Sequence, residues 1–160
     1  GTCGYQVVAN IPYYLTGEIF RMFLESRNQP SSMTLLVQKE VADRLVARDD
    51  KESILSLSLK AYGTPKREFI VPRGAFKPAP NVDSAVLTIR GISRANFTSR
   101  AEEKRFFELL HAGFAHKRKL VQNNLSELVS EKALRAAGVP EGARAEDLSL
   151  SEWFTLTASK

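Results

Sequence analysis

The residues at 10–14, Asn-Ile-Pro-Tyr-Tyr, follow directly on the apolar run Val-Val-Ala at 7–9. A short β-branched run followed by Asn-x-Pro predicts a buried strand that ends abruptly, and ligands of open α/β sheets bind at the carboxyl ends of strands. Asn10 offers a neutral amide oxygen as acceptor, Pro12 has no N–H and leaves nearby carbonyls bare, and Tyr13 supplies a flat stacking face. These groups suit the binding of a planar base by its exocyclic amine. The alternative is a strand-ending turn with two core tyrosines.

The densest basic run is His116-Lys117-Arg118-Lys119. We predict that it lies at the start of a helix over 117–129, where cations oppose the helix dipole. That cost indicates an external anion, and RNA phosphate is the obvious candidate. The alternative is a solvated helix start. We expect the neighbouring asparagines at 123 and 124 to pack rather than to contact RNA.

Hydrophobic periodicity predicts the elements that must position these residues. The predicted strands are 5–9, 33–37, 68–71 and 84–90. The predicted helices are 18–25, capped by Thr16 and ending near Pro30, then 39–47 and 53–60. The last segment is ambiguous because Leu55, Leu57 and Leu59 alternate as in a strand. We favour a helix, since residues 54, 55 and 59 also fit one helical face.

A second, helical unit is predicted after a linker over 91–98. The patterns Ser-x-x-Glu at 99–102 and 149–152 are capping boxes. The first opens the first helix of this unit, which runs to His111, and the second opens the last helix. Between them we predict the helix over 117–129 and another over 130–137, ended by Gly138 and Pro140. The expected organisation is therefore an α/β unit over 1–92 and a helical domain over 93–160.

The composition is that of a globular, cytoplasmic protein, with 43% hydrophobic and 26% charged residues. The single cysteine, Cys3, excludes an internal disulfide framework, and we interpret it as structural. With only His111 and His116 as further soft ligands, no metal site is predicted. No apolar run approaches the ~20 residues that span a bilayer, so no membrane partner is expected. A net charge of +5 permits an anionic partner such as RNA.

Asn-Ile-Pro-Tyr at 10–13 resembles the Asn-Leu/Ile-Pro-Tyr motif of the ribosomal RNA adenine N6,N6-dimethyltransferases. Four further blocks resemble the same family in the same order: Gln-Lys-Glu-Val-Ala-Asp-Arg-Leu at 38–45, Phe-Lys-Pro-Ala-Pro-Asn-Val-Asp-Ser-Ala-Val at 76–86, Phe-Ala-His-Lys-Arg-Lys-Leu at 114–120 with Asn-Asn-Leu at 123–125, and Arg-Ala-Glu-Asp-Leu-Ser at 144–149. Ile11 distinguishes the motif from Asp-Pro-Pro-Tyr of DNA adenine methylases and from Asn-Pro-Pro-Tyr of protein glutamine methylases. Val-Asp-Ser-Ala-Val at 82–86 looks more like the housekeeping small-subunit branch than the drug-resistance branch.

The resemblance implies an α/β fold: the second half of a Rossmann-like, S-adenosylmethionine-dependent methyltransferase domain, followed by a small all-helical domain. It implies that Asn10, Pro12, Tyr13 and Phe76 are catalytic, with Tyr13 and Phe76 stacking on the two faces of the adenine. Asn10 would also contact the cofactor, S-adenosylmethionine, and no metal is expected.

The implied partner is small-subunit ribosomal RNA in a pre-ribosomal particle, methylated by a monomer. Lys117, Arg118 and Lys119 would bind this RNA, and Arg67 and Arg73 near the Pro-rich loop are weaker candidates for backbone contacts.

Members of this family begin with a Gly-rich loop and an acidic residue that holds the cofactor ribose, and this sequence contains no G-x-G-x-x-G cluster. We therefore expect the first half of the Rossmann unit, roughly a hundred residues, and most of the cofactor site to be missing. The 160 residues alone are expected to be inactive. The alternative function is a non-catalytic RNA- or ribosome-binding module that has lost the cofactor-binding half.

Overall fold

A four-stranded mixed sheet forms the first part of the chain in the computed structural model, which describes residues 4–47 and 50–159. Its strands are β1 (Gln6–Asn10), β2 (Ser32–Gln38), β3 (Thr64–Val71) and β4 (Ser84–Arg90), in the order β1-β2-β4-β3. β1 and β2 are parallel, and the other pairs are antiparallel. All four predicted strands are present, whereas Cys3 lies outside the described residues.

The register brings the carboxyl ends of three strands to one edge of the sheet. Asn10, the last residue of β1, lies opposite Leu36 of β2. Ser84, the first residue of β4, pairs with Gln38 at the end of β2 and with Val71 at the end of β3. The loops that follow β1 and β3 therefore emerge at the same edge.

Three helices lie between these strands: α1 (Thr16–Leu24) connects β1 to β2, and α2 (Lys39–Leu45) and α3 (Ile54–Tyr62) connect β2 to β3. The ambiguous segment is a helix, as predicted, because Ser53 caps it by accepting a hydrogen bond from the backbone N–H of Ser56 at 3.1 Å. The start of α1 differs from the prediction. Thr16 is the first residue of the helix and not its cap, because a 3-10 turn over Tyr13–Leu15 leads directly into the helix. The Thr16 side chain is buried.

The rest of the chain is helical, with α4 (Arg100–Gly113), α5 (Val121–Asn124), α6 (Glu131–Ala136) and α7 (Leu150–Ala158). Ser99 accepts from the N–H of Glu102 at 3.1 Å, and Ser149 and Glu152 form the reciprocal capping box. No helix in the described ranges is long and apolar enough to cross a membrane.

The predicted helix over 117–129 is wrong. Only Val121–Asn124 is helical there, and the basic run lies in the turn before it. The Lys119 N–H donates to the His116 carbonyl at 3.0 Å, which closes a tight turn. Asn124 packs, as predicted, and its Nδ2 donates to the carbonyls of Gly113 and His116 at 2.6 and 3.2 Å. Because these bonds hold the turn, the cations do not face a helix dipole.

A polar network and an aromatic cluster join the sheet to the helical region. The Glu103 carboxylate of α4 is buried and accepts from the Tyr62 hydroxyl at 2.6 Å, from Arg94 Nε at 3.0 Å and from Arg100 at 2.9 Å. The surrounding rings lie 5.0–6.4 Å apart between centroids and belong to Tyr62, Phe97, Phe106, Phe107 and Phe154. The boundary between residues 92 and 93 stays a prediction.

Candidate active site

Asn10 ends β1 and is exposed at the edge of the sheet where the loops emerge. Its amide makes no hydrogen bond to another side chain or to the main chain in the part of the structure described. An exposed amide with free donor and acceptor groups at the carboxyl end of a parallel strand is available to a ligand.

Pro12 is exposed and extended, with φ −56° and ψ 132°. The sequence suggested a bare carbonyl here. In the structure the Pro12 carbonyl instead accepts the Leu15 N–H at 3.0 Å and so begins the 3-10 turn. A carbonyl oxygen has two lone pairs, so a second donor can still bind it.

Tyr13 is half-buried, and a hydrogen bond fixes the position of its ring. Its hydroxyl lies 2.5 Å from Oγ of Ser84, which is fully buried at the start of β4. Its carbonyl accepts from the Thr16 hydroxyl at 2.9 Å. The ring is therefore anchored to the sheet at one end and to α1 through its backbone.

Phe76 lies in the loop between β3 and β4 and is half-buried. A 3-10 turn over Arg73–Ala75 precedes it, and the peptide bond between Lys77 and Pro78 is cis. Asp83 makes two hydrogen bonds that fix this loop. Its carboxylate accepts the Arg73 N–H at 2.9 Å and joins the two ends of the loop, and its carbonyl accepts the Lys39 N–H of α2 at 3.0 Å. The loop that carries Phe76 is thus tied to the start of α2, at the edge where β1 ends.

The family model described as "Ribosomal RNA adenine dimethylase" matches residues 3–160. The chain belongs to the ribosomal RNA adenine dimethylase family. The resemblance carried by the five sequence blocks is confirmed.

Curated relatives of this chain carry the name "Ribosomal RNA small subunit methyltransferase A". One from Dehalococcoides mccartyi is 42% identical over 158 residues, which cover 95% of this chain and 54% of that protein. One from Fusobacterium nucleatum is 36% identical over 159 residues, or 96% of this chain and 60% of that protein. The chain spans about half the length of the curated relatives it matches.

Solved structures confirm the predicted Rossmann-like α/β fold of this chain. The crystal structure of the 23S rRNA methyltransferase ErmE superimposes with a TM-score of 0.80 at 25% identity, covering 98% of this chain and 65% of that one. A dimethyladenosine transferase from Plasmodium falciparum gives 0.78 at 20% identity, covering 95% and 65%.

The basic turn comprises Lys117, Arg118 and Lys119, all exposed. None of the three makes an ion pair with an acidic side chain in the described ranges, so their charges are available to an anion. Arg67 differs, because it is half-buried and forms an ion pair with Asp43. Arg73 is exposed, and its guanidinium lies 3.5 Å from the Asn81 carbonyl.

Sequence reasoning missed the two residues that position the site, Asp83 and Ser84. Their partners lie 10 and 71 positions away along the chain, so neither bond follows from a local pattern. The signal that could have found them is polarity, because Asp-Ser interrupts an apolar run just where β4 begins. In this family member they fix the Pro-rich loop and the Tyr13 ring.

Proposed function

We propose that the protein carrying this chain transfers two methyl groups from S-adenosylmethionine to N6 of adenine in small-subunit ribosomal RNA during ribosome biogenesis. The observation that carries the proposal is the exposed, unbonded amide of Asn10 at the end of β1, three residues before a ring that Ser84 holds in place. The names of the curated relatives give the RNA class.

The chemistry follows from the weakness of the adenine amine as a nucleophile, since its lone pair is delocalised into the ring. Two acceptors aimed at the two N–H groups favour a pyramidal nitrogen, whose lone pair then points out of the base plane. The Asn10 amide oxygen and the Pro12 carbonyl are the proposed acceptors. Fixed dipoles of this kind stabilise the charge that develops on the amine.

The base must leave its stack before it can enter the site. Tyr13 and Phe76 come from two loops at the same edge of the sheet, and we assign them to the two faces of the adenine. Base–aromatic stacking contributes about 1–3 kcal/mol per base. The Tyr13–Ser84 and Asp83–Arg73 hydrogen bonds would hold the two loops in place before the base arrives.

The residues present fit one contact with the methyl donor, since the Asn10 amide offers a donor as well as an acceptor at the strand end. When bound, S-adenosylmethionine supplies an electrophilic methyl group on a positively charged sulfur. The amine nitrogen would form the new bond to the methyl carbon with its own electron pair while the carbon–sulfur bond breaks, and that bond's electron pair would stay on sulfur, which leaves as a neutral thioether. The alkylated amine would then release a proton to water. Because the alkylated amine is acidic, no strong base is required from the chain.

The RNA itself is held, in this proposal, by Lys117, Arg118 and Lys119 through its phosphates. A pre-ribosomal particle as substrate, a monomeric state and a cytoplasmic location complete the proposal; the relatives' names support the class of RNA.

The test is to incubate the protein that carries this sequence, at its full natural length, with small ribosomal subunits that lack adenine dimethylation. Mass spectrometry of the nuclease-digested RNA is expected to show N6,N6-dimethyladenosine that depends on added S-adenosylmethionine. Large subunits serve as the control and are expected to stay unmodified. Tight binding of the small subunit without any methylated adenine would contradict the proposal and favour a non-catalytic binding module.

A further inference from the structure

A cleft of about 710 Å³ lies between the helices that flank the sheet and the helical region. Its described walls are the start of α1, α2, residues 51–55, the end of α4 with the basic turn, and residues 144–146. None of the four proposed catalytic residues lines it. Its volume is typical of sites for small molecules or single nucleotides.

The cleft has an apolar floor that contains an aromatic ring. The larger apolar lining residues are Val41, Leu45, Ile54, Leu55 and Phe114. The Phe114 ring stacks on the buried Trp153, with 5.9 Å between the ring centroids and an angle of 24° between the ring planes. Since Trp153 supports one side of this ring, Phe114 presents a firm, flat surface beside the cavity, which suits a planar heterocycle.

The charges around the cleft are predominantly positive, with four cationic and two acidic side chains. Three of these six side chains form ion pairs: Glu52 pairs with Lys60, Arg44 with Glu40 at 3.1 Å, and Lys51 with Asp147.

Lys117 and Arg144 differ from these, because neither forms an ion pair with an acidic side chain within residues 4–47 and 50–159. Together with the paired side chains and the carboxylate of Glu146, these two cations leave the cleft lining with a net positive charge, which favours an anionic ligand.

An aromatic floor and an anion site in one cavity match the two parts of a nucleotide. The cleft also begins at Thr16, whose hydroxyl donates to the carbonyl of Tyr13 at 2.9 Å, so it adjoins the candidate active site. We infer that the cleft binds one unpaired nucleotide of the substrate RNA near the methylated adenine. Its base lies against Phe114 and its phosphate between Lys117 and Arg144. The inference rests on the proposed function for the identity of the RNA.

The probe for this inference is a fluorescein-labelled hexa-adenylate RNA, titrated by anisotropy with the protein that carries this sequence. Arg144→Gln is the informative charge variant, because Lys117 also belongs to the basic turn. We expect its plot of log affinity against log salt to lose about 0.7 of slope, the value for one phosphate contact on a single strand. Arg135→Gln, an exposed arginine on α6 outside the cleft, is the matched control and is expected to keep the wild-type slope.

The stacking half of the inference is tested with Phe114→Leu and Phe114→Tyr. Loss of the ring in Phe114→Leu is expected to weaken binding about tenfold with the salt slope unchanged, since stacking releases no counterions. Phe114→Tyr retains the ring and is expected to bind as the wild type does. If Phe114→Leu does not fold, Arg144→Gln decides the inference.

Three results would overturn it: an unchanged slope in Arg144→Gln, an equal loss of slope in Arg135→Gln, or a wild-type protein that does not bind the probe at low salt. Methylation of small subunits by the same wild-type preparation is measured in parallel. Methylation without a slope change rejects the cleft alone, whereas a slope change without methylation rejects the proposed reaction alone.

Discussion

The side-chain amide of Asn10 at the sheet edge is exposed and has no hydrogen-bond partner in the described residues. Glu103 belongs to the network of Tyr62, Arg94, Arg100 and Glu103 that joins the sheet region to the helical region, here called the junction. It is 8% exposed and accepts three hydrogen bonds. Asn10 keeps its amide free for a ligand, whereas both carboxylate oxygens of Glu103 accept hydrogen bonds. Buried polar groups need partners, and exposed ones do not. Substitutions at the edge should therefore change the reaction, and substitutions at the junction should change stability.

The largest effect is expected for Asn10→Ala, which should lower the single-turnover rate of methylation by about 10²–10³, the usual cost of removing one oriented polar group. Stability and RNA binding should stay at wild-type values, because the side chain is exposed and acts as the amine becomes pyramidal. Asn28→Ala is the matched control, an exposed asparagine in the loop between α1 and β2. A rate within a few-fold of wild type would make Asn10 structural.

At the junction, Glu103→Ala should lower the free energy of unfolding by about 3 kcal/mol, because it leaves the partly buried Arg94 without its carboxylate. Glu108→Ala, on an exposed turn of the same helix, should change it by less than about 0.5 kcal/mol. Urea denaturation measures both. Equal losses in the two variants would show that burial does not distinguish them.

The cations of the basic turn resemble the Asn10 amide, because they too have no side-chain partner among the described residues. Replacing Lys117, Arg118 and Lys119 by glutamine should flatten the salt dependence of RNA binding by about 0.7–0.9 log units for each phosphate that the variant no longer binds, at unchanged stability. Affinities for small-subunit RNA at several salt concentrations provide the measurement. An unchanged slope would identify the turn as a solvated surface.

Phe76→Ala should lower methylation roughly tenfold, the value of one base–aromatic stack, while the salt slope of RNA binding stays the same. Phe76→Tyr retains the ring and should keep most of the activity. Because Phe76 is half-buried, circular dichroism melting of both variants must first show that they fold. Methylation at the wild-type rate by the folded Phe76→Ala variant would show that Phe76 does not belong to the site.

The smallest effect is a pH dependence at the junction. Burial alone would raise the pKa of Glu103, but hydrogen bonds from Tyr62, Arg94 and Arg100 outweigh it and hold this pKa below its ordinary value. A lowered pKa adds stability above the unfolded pKa of about 4.3, and this stability is lost as the pH falls through the folded value.

Tyr62→Phe removes one of these donors and should cost about 1.5 kcal/mol at pH 7. Its difference from wild type should shrink as the pH falls from about 5 to about 3, because protonation of Glu103 weakens the bond that the variant lacks. Urea unfolding at several pH values measures this. A difference that does not vary with pH would show that the hydroxyl does not act through the ionised carboxylate.

Sequence patterns predicted what is encoded locally. The four strands follow from apolar runs, and the helix starts at Ser53, Ser99 and Ser149 follow from their own side chains. The predicted helix over 117–129 is wrong because periodicity does not register the turn that Asn124 stabilises.

The candidate site shows the same division between features that are local in the sequence and features that depend on distant residues. Asn10, Pro12 and Tyr13 lie together in the sequence and are recognisable, whereas the bond from Tyr13 to Ser84 joins residues 71 positions apart. The engagement of the Pro12 carbonyl by Leu15 was also missed, because it depends on a 3-10 turn that no capping residue announces. The junction network was not predicted at all, since Tyr62 and Glu103 are 41 positions apart.

Arg94 contacts the end of α1 only through main-chain carbonyls, those of Leu24, Glu25 and Ser26, at 3.3, 3.2 and 2.9 Å. Every amino acid carries that carbonyl, so these three contacts place no demand on the identity of residues 24–26. A helical region transplanted with Arg94 and Glu103 would keep these contacts on any host that has a helix ending at the same place and a tyrosine at position 62. These contacts of the junction can therefore be transferred between distant relatives, and chimaeras can be designed around them.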